Sequence, residues 1–179
     1  MKKIFASMLP LLLLIFAPPI AWAKGEPVPF KTKFDYQYTS ADFKTTISFP
    51  AAFEESFSEK ETTNGIRKTV KVSASLKDDV YFFSATKHVV DIPEKEKMAT
   101  VSVNSFTETI KGEIKKKEPF TYNGNTGAEA LIYLPEQNAY VHYRALLIDR
   151  FQYQFVVIDK EEGSSEAVSR FFASFAYTE

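Results

Sequence analysis

The sequence predicts an α+β domain: a central antiparallel sheet of about 6–8 strands flanked by two main helices, an α/β/α sandwich. Three observations predict it. Apolar residues recur at every second position through several stretches, most cleanly over 66–76, which marks half-buried strands. Turn dipeptides such as Asn123-Gly124 separate those stretches, so sequence neighbours become hairpin partners. Only two segments carry apolar residues at helical spacing, one ending near Gly112 and one near Phe175.

The chain opens with Lys2-Lys3, a mostly apolar run from Ile4 to Ile15, prolines at 18 and 19, and Ala21-Trp22-Ala23 before Lys24. That is the three-part pattern of a secretory signal peptide, expected to be cleaved after residue 23. The rival reading, a membrane anchor, needs about 20 apolar residues, which this run does not supply. The mature protein is therefore expected to be exported, to the periplasm first and to the medium second, with no integral membrane span. Lipoprotein processing needs a cysteine, and there is none.

Residues 24–42, with Pro27 and Pro29, read as a leader that can add a short strand near Phe34–Tyr38; residues 43–179 read as a single domain. Phe43, Thr45, Ile47 and Phe49 alternate with polar residues until Pro50 stops the strand. Phe57–Thr62 is a weaker strand, turned by Asn64-Gly65 into the strand 66–76. Asp78-Asp79 turns the chain again and Val80–Lys87 returns. Asp91 and Glu94 are spaced as a capping pair, with Pro93 suited to a first turn. Ala99, Val103, Phe106 and Ile110 then form one stripe of a helix that Gly112 ends. Glu113–Tyr122, Thr126–Leu134, Ala139–Ile148 and Phe151–Asp159 follow as strands. Ser164 or Ser165 caps a last helix with a stripe of Ala167, Val168, Phe171, Phe172 and Phe175.

Turn lengths fix a finer expectation. A two-residue loop at Asp149-Arg150 and a four-residue turn at 135–138 set Glu129 opposite Arg144, and Arg144 opposite Phe155. One face then holds Ala128, Ala130 and Ile132 with Val141, Tyr143 and Ala145, and should lie under a helix. The other gathers Tyr133, Tyr140, Glu129, His142 and Arg144.

Composition narrows the functions. Removing 23 of the 179 residues leaves 156, and losing Lys2 and Lys3 leaves 20 basic against 23 acidic residues, which gives no electrostatic case for nucleic acid. With no cysteine, thiol nucleophiles and thiolate metal sites are excluded. Seventeen Phe and nine Tyr supply a β-rich core, with a greasy ligand pocket as the sharper reading. His88 and His142 have no companions at metal-ligand spacing. No serine sits in a nucleophile elbow. Glu54-Glu55, Asp78-Asp79 and Glu161-Glu162 read as exposed turn residues rather than an acid–base pair. Lys111, Lys115, Lys116 and Lys117 suit either an anionic surface or the protection of a sheet edge against aggregation. Glu129 and Arg144 are either a cross-strand ion pair or a recognition point beside Tyr133, Tyr140 and His142. No catalytic residue, cofactor or metal is expected, and the candidate binding surface is Arg144, His142, Tyr140, Tyr133 and Glu129.

Three segments carry a family resemblance: Phe-Lys-Thr-Thr-Ile-Ser-Phe-Pro at 43–50, Tyr143-Arg144 leading into the strand 151–157, and Phe171-Phe172-Ala173-Ser174-Phe175. Together they resemble the PsbP-like superfamily, named for an extrinsic subunit of photosystem II, over residues 43–175. The resemblance implies an antiparallel sheet with helices on both sides and a non-enzymatic role as an accessory or assembly factor. No family metal or docking residue matches a position here, so the photosynthetic role does not carry over. The expectation is an exported binding or accessory protein with an unknown protein partner. A carrier of a small apolar or anionic ligand is the alternative, and an enzyme the third.

Overall fold

The computed structural model describes residues 33–178; the expected signal peptide, 1–23, and the first part of the expected leader lie outside the described residues. Ten strands and two helices follow in the order β1 (Tyr36–Ser40), β2 (Thr45–Phe49), β3 (Glu54–Thr62), β4 (Gly65–Leu76), β5 (Asp79–Lys87), α1 (Lys95–Ile110), β6 (Glu113–Tyr122), β7 (Asn125–Leu134), β8 (Ala139–Ile148), β9 (Phe151–Asp159), α2 (Glu166–Ala173) and β10 (Ala176–Tyr177). Seven strands form one antiparallel sheet in the order β3-β4-β5-β9-β8-β7-β6. α1 is the long connection: it carries the chain from β5, inside the sheet, to β6 at the far edge.

Alternation sends side chains to two cores. On one face Ala99 and Val103 of α1 pack with Ala130, Ile132, Val141, Tyr143 and Val156, and Phe106 stacks on Tyr143 at 4.5 Å. On the other, Val72, Phe83, Tyr153, Phe155 and Val157 meet Val168 and Phe171 of α2. The expected cover of that second face was a helix. It is shared: β1, β2 and β10 make a separate three-stranded sheet whose Tyr38, Ile47 and Phe49 enter the same core. The packed unit therefore begins before Phe43, because Tyr38 is buried and Phe34 stacks edge-on against Tyr81 at 6.0 Å. Tyr153 ties the layers together by donating its hydroxyl to the Phe43 carbonyl at 2.8 Å.

Several local expectations shift. The first hairpin turns at Thr63-Asn64, not Asn64-Gly65. Thr62 pairs with Gly65, the Thr62 hydroxyl donates to the Gly65 carbonyl at 2.6 Å, and only Gly65 takes positive φ, 125°. The next turn is Lys77-Asp78, with Lys77 at φ 56°. The Asp91–Glu94 capping pair does not form. Ile92 is buried and its N–H bonds to the Asp149 carbonyl, so the helix starts only at Lys95; Glu94 is left-handed at φ 49° and its carboxylate binds Lys97. At the other end of α1 the left-handed residue is Lys111, at φ 54°; Gly112 is needed for closeness, since a Cβ there would come within 2.4 Å of Ile132. Ser165 caps α2, its Oγ accepting the Val168 N–H at 3.2 Å. No helix among the described residues is long and apolar enough to cross a membrane.

Candidate functional site

Both turns of the β7–β8–β9 meander have the expected lengths. Leu134 pairs with Ala139 and Ile148 with Phe151. Glu129 therefore faces Arg144, and Arg144 faces Phe155. Left-handed backbone at Asn138 (φ 47°) and Asp149 (φ 50°) closes those turns, a conformation that Asn and Asp tolerate better than most residues.

Arg144 is the centre of the site. Its Nε donates to Glu129 Oε2 at 2.6 Å, and both side chains keep roughly a third and a quarter of their surface, 33% and 26%. The guanidinium lies 4.4 Å from the Phe172 ring and 5.1 Å from the Phe120 ring. A planar cation over two aromatic faces is electrostatically favoured. Phe172 comes from α2, and Phe120 from β6, where it pairs with Gly127. A Cβ at Gly127 would sit 2.3 Å from Phe120 Cε1, so the missing side chain is what lets the ring lie across the strand towards Arg144.

His142 is buried and already engaged: Nε2 is 3.3 Å from both Asp159 Oδ1 and the Glu161 carbonyl. Asp159 in turn accepts the Glu161 N–H at 3.0 Å, which fixes the loop after β9. Tyr133 and Tyr140 stack at 5.2 Å; Tyr133 donates to Asn138 and Tyr140 to Glu162. Desolvation and the neighbouring Glu162 carboxylate push the Tyr140 hydroxyl above its ordinary pKa.

A shallow groove of about 220 Å³ gathers three of the five residues picked from sequence: Glu129, His142 and Arg144. Tyr133 and Tyr140 do not line it, although Tyr140 reaches Glu162, which does. Lys116, Glu118, Glu162, Ser164 and Phe172 also line it. Lys116 and Glu118 pair at 2.7 Å, and that bond raises the lysine's pKa and lowers the glutamate's. Phe120 and Phe172 were missing from the sequence-based surface. A glycine inside a strand, Gly127, was the one signal that another group approaches closely there.

The remaining candidates resolve into local contacts. Lys115 bonds Glu113 at 2.9 Å and Lys117 bonds Asn104 at 3.0 Å. Lys115 is also the extra residue of a β-bulge in β6, the strand at the sheet's edge. Lysines, a bulge and Pro119 together are devices that blunt an edge. His88 Nε2 is 3.3 Å from Gln152 Oε1, and Gln152 donates to Ser102 at 2.8 Å, a buried polar seam under α1. Burial and the positive charge of Arg67 lower the His88 pKa, against the opposing hydrogen bond to Gln152 Oε1. Among the described residues no three His, Asp or Glu side chains are grouped to hold a metal ion.

No family model and no curated protein matches this sequence. The solution structure of cyanobacterial PsbP (CyanoP) from Synechocystis sp. PCC 6803 superposes with a TM-score of 0.55 over 79% of this chain and 91% of that one, at 10% identity. The fold is PsbP-like. A crystal structure from Bacteroides thetaiotaomicron VPI-5482 matches at a TM-score of 0.40, with 11% identity, over 82% of this chain and 50% of that one. At this identity the PsbP-like relation is one of fold, and the groove around Arg144 has to be read from its own residues.

Proposed function

We propose that this chain is an exported, non-enzymatic binding module of the cell envelope, periplasmic, that docks a protein partner through the groove around Arg144. The observation that carries the reading is the groove's size and chemistry. About 220 Å³ falls below the roughly 300–1,000 Å³ typical of small-molecule sites, and suits one or two side chains of a partner. Arg144 and Phe172 line the groove, and arginine and aromatic residues are enriched at protein interfaces. A binding role is supported by polar groups of the groove that are engaged locally: Ser164, which lines it, is 3.2 Å from Ser169, and His142 is held by Asp159 and Glu161.

Export rests on the first 23 residues, and mass spectrometry of protein from its host should give a mature chain beginning at Lys24. A carrier of a small anionic ligand is the second reading, favoured by the partly exposed guanidinium. One experiment separates the two. Wild type and the double variant Arg144→Ala/His142→Ala are compared for retention of the same envelope protein. Both are also screened for melting shifts with acetate, phosphate and a fatty acid. Retention by wild type and loss by the folded variant supports docking; a saturable shift with a small anion and no retained protein transfers the site to the carrier reading.

A further inference from the structure

The two edges of the seven-stranded sheet are built differently. β6 is defended by a bulge at Lys115, by Pro119 and by three lysines. β3 has no bulge and no proline, and a single lysine, Lys60. It runs nine residues in unbroken register against β4, from Glu54–Ser73 to Thr62–Gly65, and every one of its residues is exposed. No described strand pairs with its outer side. A regular, bulge-free edge offers backbone N–H and C=O groups for another strand to complete, and its charges restrict which strand that can be.

The side chains say which strand. On the face that β3 shares with Val70, Lys68 and Ile66, the sequence reads Glu55, Phe57, Glu59, Glu61. Phe57 is 54% exposed and Ile66 51%. The strand as a whole carries four glutamates and one lysine. Antiparallel pairing of β3 with a second copy of itself sets Glu55 against Glu61 in the fully matched register, and the registers on one side of it oppose Glu to Glu as often as Glu to Lys60, so a second copy gains no net charge complementarity where a basic segment would. The β6 edge of a second copy is closed by its bulge and proline.

We propose that β3 is a second docking edge, independent of the Arg144 groove, which takes an extended segment of a partner protein with basic residues alternating around one apolar residue. Antiparallel addition would set Lys or Arg opposite Glu55, Glu59 and Glu61, and an aliphatic side chain opposite Phe57, while the ladder supplies most of the affinity.

The probes are two peptides, KTKTVTK, which matches this pattern, and its reversal ETETVTE. Each is titrated to millimolar concentration into the isotope-labelled protein and followed by amide chemical shift and hydrogen exchange. KTKTVTK should shift and protect amides of residues 54–62 saturably, and ETETVTE should not. Glu59→Lys/Glu61→Lys should weaken KTKTVTK about fivefold per reversed pair. Phe57→Thr, which leaves the charges alone, should also weaken it; because Phe57 packs edge-on against Phe43 at 6.3 Å, the titration is made well below that variant's own Tm. Equal binding of both peptides, shifts confined to other strands, or no saturable shift would overturn the proposal. So would protection, without peptide, of the β3 amides that face away from β4, whether by a second copy or by the chain's own residues.

Discussion

Replacing Arg144 by methionine removes the charge while keeping an unbranched stem between the two rings. The loss has two parts. The pair with Glu129 is partly exposed, at 33% and 26%, and is worth about 0.2–1 kcal/mol. The contacts with Phe172 at 4.4 Å and Phe120 at 5.1 Å contribute about 0.5–1 kcal/mol each. Arg144→Met should therefore destabilise by about 1–3 kcal/mol, or lower Tm by roughly 3–10 °C for a domain of this size. Urea denaturation of Arg144→Met, Glu129→Gln and the double variant closes a cycle, and the coupling should be about 0.5 kcal/mol or more, as for residues in contact. A loss below about 0.5 kcal/mol together with additive single effects would refute the picture of a guanidinium seated between two rings and a carboxylate.

Gly127→Ala should cost about 1–3 kcal/mol by overpacking, read from the urea midpoint, because the new Cβ meets Phe120 at 2.3 Å and the Ala145 carbonyl at 2.6 Å; an unchanged midpoint would show that the ring does not lie there. Ser165→Ala should lose about 1 kcal/mol with the α2 cap, and Ser165→Thr should keep most of it. His88 gives a pH dependence. Its folded pKa is lowered by burial, so below the unfolded value of about 6.5 the unfolded chain takes up the proton more readily than the folded one. That stability is complete above about pH 6.5 and falls as the pH drops below it. His88→Gln should flatten the Tm–pH curve between about pH 7 and 5, and parallel curves would contradict the burial.

The meander was legible because its two turns leave no freedom: once 135–138 and 149–150 are counted, Glu129 must face Arg144. The strand 66–76 was legible because its buried residues, Val70, Val72 and Ala74, alternate. The three-stranded sheet was not. β10 is two residues long and pairs Ala176 with Thr46, a contact across the chain that no local pattern announces. The start of α1 was misjudged for a related reason: burial of Ile92 against the meander overrides a favourable local cap. Likewise the rings on Arg144 come from Phe120 and Phe172, on elements far apart in sequence, so only the assembled fold brings them together.

Site-specific photocrosslinking in the host tests the proposed docking surface most directly. A crosslinking side chain at Lys116, in the groove, is compared with one at Glu96, on α1 over the other face of the sheet. The groove position should give one discrete protein adduct that is lost in the Arg144→Met background, and the helix position should give none. Equal adducts from both positions, or a groove adduct indifferent to Arg144, would contradict the account.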